Sequence, residues 1–232
     1  MHSEQTLRPA RPSLLDQLAH AGLTRAFAAA RENGVRPLCL DGTAGNGHDS
    51  LFLAETAPKG ALVLALGVQP AAIAATEKRL ALARERLNAA GTPLETDWRC
   101  LCRGHEELEA VLRDMPEAAG LPLMAAVFNF GWLPGSDKSC VTRAETSLRA
   151  VDAVLERLAP CGCLCLHCYT GHAGGAEEEA ALCERLAGLP ARFWRVFYGR
   201  DLNRPEDAAG GPGRYESLLL AERLPVRRKR SC

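Results

Sequence analysis

A glycine-rich turn after a short apolar run is the first feature of this sequence that could bind a ligand. Residues 38–41 read Leu-Cys-Leu-Asp, glycines then follow at G-x-x-G-x-G spacing in residues 42–47, and a helical pattern begins at His48. Because glycine has no Cβ, a ligand can approach the backbone of such a turn closely. The spacing differs from the G-x-G-x-x-G of dinucleotide-binding folds. We therefore expect either a ligand other than a dinucleotide or a tight turn that binds none.

The motif F-N-F-G-W-L-P-G-S-D-K at residues 128–138 carries the chemistry expected on the substrate side. An amide oxygen of Asn129 that accepts the N–H groups of an amine would aim the nitrogen lone pair. Trp132 could stack on a flat base, Asp137 could take up a proton, and Lys138 could meet a phosphate. Alternatively, Trp132 covers the core, and Asp137 and Lys138 form a solvated turn.

Three further polar positions follow other apolar runs. Gln69 could hydrogen-bond a ribose hydroxyl in place of the acidic residue usually found there, or it simply opens the next helix. His105 could reach an adenine edge, or it is satisfied by backbone groups. In the motif Y-T-G-H-A-G-G-A-E-E of residues 169–178, His172 could act as acid, base or phosphate contact beside an anion-sized helix start, or be a turn histidine without function.

The elements that must position these residues alternate between strand and helix. Strands are predicted at residues 38–41, 61–68, 94–101, 123–130, 163–169, 193–198 and 215–221, and helices at 13–32, 48–55, 70–90, 105–113, 143–158 and 175–187. This alternation is typical of an α/β fold with a mostly parallel seven-stranded sheet, helices on both faces and an antiparallel C-terminal hairpin strand. Ligands of such sheets bind at the carboxyl ends of the strands, where every motif above falls.

Length and charge limit the organisation and the partners. The 232 residues suit one domain, predicted at 35–224, with an N-terminal helical segment at 1–34 and a basic tail at 225–232. With 28 basic and 28 acidic residues there is no net charge, so a nucleic acid would have to be held by a local patch. The basic run of residues 227–230 could bind phosphate or simply be solvated.

The cysteines and the hydropathy pattern exclude other classes. Most of the ten cysteines fall inside predicted elements, and Cys161, Cys163 and Cys165 alternate along one strand face as small apolar residues. The single C-x-x-C lacks a convincing second ligand pair, so no metal is expected. No signal peptide and no run of about 18 apolar residues is found, which predicts a cytoplasmic protein without a membrane partner.

Four motifs in order resemble one bacterial family of class I methyltransferases. They are residues 41–49 (D-G-T-A-G-N-G-H-D), 105–108 (H-E-E-L), 128–138 and 169–178. Members of this family, first labelled rRNA methylases, methylate the 5-aminomethyl group of the wobble uridine in tRNA. The resemblance implies a Rossmann-like methyltransferase fold, S-adenosyl-L-methionine as methyl donor, the tRNA anticodon region as partner and a possible homodimer. The implied reaction converts 5-aminomethyl-(2-thio)uridine-34 to its 5-methylaminomethyl form.

The motifs and the resemblance together assign the candidate site residues. Cofactor contacts are expected from Asp41, Gly42, Thr43, Gly45, Asn46, Gly47, His48, Asp49, Gln69, His105, Asn129 and Gly131. Substrate contacts are expected from Trp132, Pro134, Gly135, Lys138, Tyr169, His172, Gly174 and Gly175. Asn129, Asp137 and His172 are the catalytic candidates.

Two departures from the family pattern fall on the cofactor side. The family usually has Asp where this chain has Gly67, and an Asp-Ser pair where it has Arg103-Gly104. Cofactor affinity is the property that these departures would change. Two alternatives therefore stay open: a methyltransferase acting on another amine of rRNA or a small molecule, and a catalytically degenerate domain that binds RNA or a partner.

Overall fold

The computed structural model describes residues 13–131, 141–202 and 216–225. The strands of this part are β1 (Leu38–Asp41), β2 (Leu62–Leu66), β3 (Asp97–Leu101), β4 (Leu123–Phe130), β5 (Leu158–Tyr169), β6 (Trp194–Arg200) and β7 (Glu216–Arg223). The helices are α1 (Leu14–Glu32), α2 (His48–Thr56), α3 (Pro70–Ala89), a 3-10 turn (His105–Glu107), α4 (Leu108–Arg113), α5 (Pro116–Ala119), α6 (Ala144–Arg157) and α7 (Gly175–Ala187).

The strands form one sheet in the order β3-β2-β1-β4-β5-β7-β6. The first five run parallel, whereas β7 pairs antiparallel with both β5 and β6. The predicted fold class is therefore confirmed, including the antiparallel hairpin at the end. From β1 the chain winds outward to β2 and β3, then returns to β4 on the other side of β1. This reversal creates the crevice where open α/β sheets bind ligands.

Each face of the sheet is covered by its own layer of helices. Successive side chains of a strand point to opposite faces. Phe128 and Phe130 of β4 accordingly join the core shared with α4, α6 and α7. Val127 joins the core shared with α1, α2 and α3. By the same alternation Asn129 is directed toward the layer that contains α1 and α2.

Helix α1 belongs to this layer and packs on β4, β5 and β7. Ser13 caps its N-terminus: the backbone N–H of Asp16 donates to Ser13 Oγ at 3.0 Å, and that of Ser13 donates to Asp16 Oδ2 at 2.8 Å. This capping box satisfies donors that a helix start leaves unpaired. The buried stripe of α1, which includes Leu15, Ala19 and Leu23, packs against this face of the sheet.

Some elements differ from the prediction. Strand β5 begins five residues earlier than expected, and Cys161 adopts φ 67° beside a register shift against β4. The predicted helix 105–113 divides into the 3-10 turn and α4, and α5 was not predicted. The eight cysteines of the described part are free thiols. Among the described helices, none combines the length and apolar character needed to cross a membrane.

Candidate active site

A cleft of about 970 Å³ opens at the carboxyl ends of β1, β2, β4 and β5. This volume is typical of pockets for cofactors and drug-sized ligands. Eleven of the predicted site residues line it: Gly42, Thr43, Gly45, Asn46, His48, Asp49, Gln69, His105, Asn129, Gly131 and Tyr169. The glycine turn and Asn129 therefore border one cavity. They are also joined directly, because the backbone N–H of Asn129 donates to Thr43 Oγ1 at 2.6 Å.

The other predicted residues fall into two groups. Within the described part, these do not line the cleft: Asp41, Gly47, His172, Gly174 and Gly175. His172 sits in the turn before α7, with Nδ1 3.0 Å from the carbonyl oxygen of Ala173. The second group lies outside the described residues: Trp132, Pro134, Gly135, Asp137 and Lys138. Their ligand contacts stay predictions.

Two glycines of the turn are required by packing within the protein. A Cβ on Gly42 would lie 2.0 Å from Cε1 of Phe128, and one on Gly47 would lie 2.8 Å from Cα of Thr76. Gly47 also has φ 76°, a conformation that costs other residues energy. Close approach of a ligand, the reason expected from the sequence, is therefore not needed to explain these two positions. Gly45, at φ 50°, is the left-handed glycine that faces the cleft.

Asp41, at the end of β1, is committed to internal hydrogen bonds. It is 1% exposed, and its Oδ2 accepts from Ser50 Oγ at 2.6 Å while Oδ1 accepts from the Thr43 N–H at 3.2 Å. Burial, together with the neighbouring charge of Asp49, raises the pKa of Asp41 to about 7. Asp41 thus stabilises the glycine turn through hydrogen bonds from Thr43 and Ser50.

His48 lies on the wall of the cleft beside Arg79 of α3. Arg79 Nε donates to the carbonyl oxygen of Asn46 at 2.7 Å, and its Nη2 lies 3.2 Å from His48 Nε2. Burial and the charge of Arg79 lower the pKa of His48, which favours a neutral imidazole at this wall. Arg79 fixes the second half of the glycine turn.

Asn129 is oriented by a carboxylate of α2. Its Nδ2 donates to Asp49 Oδ2 at 2.7 Å. Since an ionised carboxylate only accepts hydrogen bonds, this contact decides which end of the amide is nitrogen. Burial raises the pKa of Asp49, but the nearby imidazole of His20, the bond from Asn129 and the charge of His167 outweigh it and hold the pKa below its ordinary value. Asp49 therefore stays ionised, and Oδ1 of Asn129 is left as an acceptor on a cleft-lining residue.

Helix α1 contributes two side chains to the cleft that the motifs did not predict. His20 and Asp16 both line it, one helical turn apart at i and i+4. The His20 ring stacks on Phe52 of α2, with centroids 3.7 Å apart and planes inclined by 6°, and its Nε2 lies 3.8 Å from Asp49 Oδ1. The sequence signal was available: polar residues at positions 16 and 20 flank the apolar stripe of α1.

His105 closes the opposite end of the cleft. The residue is 8% exposed, and its ring meets Phe128 and Phe130 edge-on at 6.2 and 5.7 Å. Its Nε2 has no hydrogen-bond partner among the described residues, and burial lowers its pKa. A buried, neutral imidazole nitrogen without a partner is costly unless a ligand satisfies it. This end also contains Glu106, which sequence motifs placed next to His105 without a role.

The end of β2 borders the same region through Gly67 and Gln69. A Cβ on Gly67 would meet Cδ1 of Ile73 at 3.3 Å and Cγ1 at 3.8 Å, with no other heavy atom of the described residues within 4 Å. Packing would therefore tolerate an acidic side chain at position 67.

The segment after β4 is tied to α7 by a buried carboxylate. Glu178 is 2% exposed and accepts from Thr142 Oγ1 at 2.8 Å and from Ser147 Oγ at 2.5 Å. Thr142 and its neighbour Arg143 line the cleft. Glu178, part of the fourth motif, thus positions the cleft wall from behind.

Behind Tyr169, three side chains form a hydrogen-bonded group. His167 Nδ1 lies 2.9 Å from Glu216 Oε1, and the Tyr169 hydroxyl donates to the same oxygen at 3.5 Å. Burial and the charge of Glu216 raise the pKa of Tyr169, which keeps its hydroxyl protonated. Asp16 brings a third potential ligand atom within 4.8 Å of His167 and Glu216, but an acidic group of this kind is common without an ion.

The fold and the cleft define a class of protein. A Streptococcus mutans protein in complex with SAH superposes with TM-score 0.64 at 25% identity, covering 92% of this chain and 100% of that one. An rRNA methylase from Streptococcus thermophilus gives TM-score 0.63 at 29% identity, covering 93% and 99%. The class is that of the Rossmann-like methyltransferases.

Sequence similarity identifies the family within that class. The family described as "Putative rRNA methylase" matches residues 63–210, and the chain belongs to it. This chain is also 32% identical over 171 residues to the chloroplastic tRNA (mnm(5)s(2)U34)-methyltransferase of Arabidopsis thaliana. That similarity spans 72% of this chain and 58% of the Arabidopsis protein, so the chain corresponds to little more than half of its relative.

Proposed function

We propose that this chain is an S-adenosyl-L-methionine-dependent N-methyltransferase acting on tRNA. Its substrate is 5-aminomethyl-(2-thio)uridine at wobble position 34, and its product is the 5-methylaminomethyl nucleoside. The proposal is supported by the family, by the similarity to the Arabidopsis tRNA methyltransferase and by the chemistry of the cleft.

The observation that carries this proposal is the fixed amide of Asn129. Asp49 accepts from Nδ2 at 2.7 Å, so Oδ1 is the atom left to accept N–H groups from a substrate. An amine attacks through its lone pair, and an acceptor that holds its hydrogens sets the direction of that pair. Because the amide is held in place beforehand, no reorganisation is needed when the substrate binds.

Charge at this end of the cleft also suits an amine. Asp16 and Asp49 line the cleft, and the lowered pKa of Asp49 keeps it anionic at neutral pH. A primary ammonium would be attracted here, and a carboxylate would be repelled.

The cofactor fits the opposite end. His105 Nε2, buried and without a partner in the described part, could hydrogen-bond an adenine edge, and Gln69 could bind a ribose hydroxyl. The turn residues Gly42 to Asn46 would hold the amino acid portion. S-adenosyl-L-methionine, when bound, supplies a methyl group activated by a sulfonium. The chain's own residues bind both reactants, orient the amine and keep the His105 nitrogen neutral.

The deciding experiment compares two tRNA substrates. The full chain is incubated with methyl-labelled cofactor and with tRNA that carries or lacks the 5-aminomethyl group at position 34. Label in only the first tRNA, found by mass analysis in the 5-methylaminomethyl nucleoside, is the expected result. Equal labelling of both tRNAs would instead indicate another amine substrate. Absence of label with absent SAH binding in calorimetry would indicate a degenerate domain.

Two further expectations belong to this proposal. The anticodon arm is the expected RNA partner, and an isolated anticodon stem-loop with the modified nucleoside should suffice for labelling. Light scattering of the full chain tests the predicted homodimer. The cytoplasmic location stays a prediction, since the Arabidopsis relative is chloroplastic.

A further inference from the structure

We propose that His20 of α1 removes the proton from the substrate amine, and that Asp49 holds His20 and Asn129 together for this purpose. The inference rests on the proposed function and adds a catalytic residue to it. Neither the family match at residues 63–210 nor any motif of the sequence includes His20.

The geometry places both partners on one carboxylate. Asp49 Oδ2 accepts from Asn129 Nδ2 at 2.7 Å, while its other oxygen, Oδ1, lies 3.8 Å from His20 Nε2. His20 and Asn129 both line the cleft. An amine held by the amide of Asn129 is therefore delivered beside the imidazole.

The imidazole is also held in one plane. Its ring lies 3.7 Å from that of Phe52 at an inclination of 6°. The His20 side chain is 33% exposed, so a proton accepted from the substrate can pass on to solvent. A general base must be both within reach of the proton and able to release it.

A base is required because of the charge of the substrate. An aliphatic primary amine is mainly protonated near neutral pH, and the ammonium has no lone pair. In the proposed step an N–H bond of the ammonium breaks, and its electron pair stays on nitrogen. His20 takes the proton and becomes an imidazolium ion, which the Asp49 carboxylate stabilises.

Two carboxylates flank His20 in the cleft: Asp16 lies one helical turn away, and Asp49 Oδ1 lies 3.8 Å from its Nε2. The other titratable or charged groups on this side of the cleft are His48, Arg143 and Tyr169, with His167 and Glu216 behind Tyr169. Burial and Glu216 keep Tyr169 protonated, so it does not compete as a base. The carboxylates of Asp16 and Asp49 attract the substrate cation to the position beside His20.

The main test is the pH dependence of His20→Gln. At pH 7 its kcat/KM should be about one hundredfold below that of the wild type, as for loss of a general base. The deficit should shrink as the pH rises, because the free amine then forms without a base. Thr24→Gln, an exposed site one turn further along α1, should retain the wild-type profile. A deficit of His20→Gln that is constant with pH would overturn the proposal, as would full activity.

Two measurements cover the possibility that variants fold poorly. Exogenous imidazole should restore activity to His20→Ala, since the position is open to solvent. In the wild type, the His20 imidazole NMR signals should shift when a stem-loop with the aminomethyl group binds and stay unchanged with one lacking it. No shift with the aminomethyl RNA, or no rescue of a folded His20→Ala, rejects the role of His20.

These outcomes separate the two proposals. If wild-type protein does not methylate aminomethyl-tRNA, the proposed function fails. If it does, and Asp137→Asn rather than His20→Gln shows the deficit that shrinks with pH, the function stands and the proton acceptor is Asp137.

Discussion

Replacing Gly67 by Asp should strengthen cofactor binding. Gly67 directly follows β2, where related folds place an acidic residue that accepts hydrogen bonds from the ribose hydroxyls. Among the residues that the structure describes, a Cβ there would meet the tip of Ile73 alone, at 3.3 Å, and a flexible methyl group can shift by a few tenths of an ångström. Gly67 is not among the positive-φ glycines, so the substitution introduces no backbone strain.

The magnitude follows from the number and setting of the new hydrogen bonds. A hydrogen bond to a charged group contributes about 1.5–3 kcal/mol. Gly67 is half-buried, so solvent screens the new carboxylate, and Glu106 of the same cleft adds a second negative charge. We therefore expect the lower value, about 1.5 kcal/mol, which corresponds to a roughly tenfold lower Kd.

Isothermal titration calorimetry with SAH measures this effect. Gly67→Ala tests the space for Cβ, and Gly67→Asn tests size and polarity without charge. Only Gly67→Asp should show the full decrease in the Kd for SAH. For a 2′-deoxy analogue of SAH, Gly67→Asp should lower the Kd by a smaller factor, because one of the hydroxyl groups that the carboxylate would accept from is missing. Equal or weaker SAH binding by Gly67→Asp, with Gly67→Ala unchanged, would refute the inferred position of the ribose.

The remaining predictions concern other parts of the cleft. Asn129→Ala should lower turnover about one hundredfold and leave the SAH Kd nearly unchanged; a collapse of SAH affinity would make Asn129 structural. His105→Leu should weaken SAH binding about fivefold while raising the stability of the free protein by about 1 kcal/mol, because an unsatisfied buried nitrogen is removed; calorimetry and thermal unfolding check both signs. Gly47→Ala should cost about 2 kcal/mol or more in denaturant unfolding, since its Cβ would lie 2.8 Å from Thr76 Cα, whereas Gly91→Ala, at φ 73° in open space, should cost about 1 kcal/mol. For Asp41, the folded pKa of about 7 exceeds the ordinary 3.8, so the folded state holds the proton more tightly and the free energy of unfolding should fall as the pH rises from about 4 to 7; Asp41→Asn should lack this decrease, and an unchanged slope would contradict the raised pKa.

Much of the sheet was predictable because its strands are short, apolar and separated by helices. The limits of β1 and β4 were predicted correctly, since each is a nearly continuous apolar run preceded by a proline and followed by a glycine. The early start of β5 was not predicted. Its first residues include Ala159-Pro160, and a proline in this position favours a turn over a strand. Cys161, which follows, adopts a left-handed conformation that the sequence does not indicate.

The cleft was predicted from residues at strand ends. The side chains that α1 contributes to it and the contact between α2 and Asn129 were missed. Asn129 follows directly from its place at the end of β4. Its orientation does not, because Asp49 is 80 residues away in the chain and no local pattern joins the two. The glycine motif predicts Asp49 as a cofactor contact, which stays a prediction, and the structure adds its hydrogen bond from Asn129 Nδ2.

Helices α1 and α2 contribute side chains to the cleft although both lie outside the segment that matches the family model. The family match begins at residue 63, so it contains Asn129 but not Asp49, His20 or Asp16. Without Asp49 the amide of Asn129 would have two nearly equivalent orientations, only one of which presents an acceptor. Asp49, which selects this orientation, belongs to α2, and it reaches Asn129 because α2 packs on the face of β4 to which position 129 is directed. The orientation of the Asn129 amide therefore depends on the docking of α2 as much as on the motif that carries Asn129.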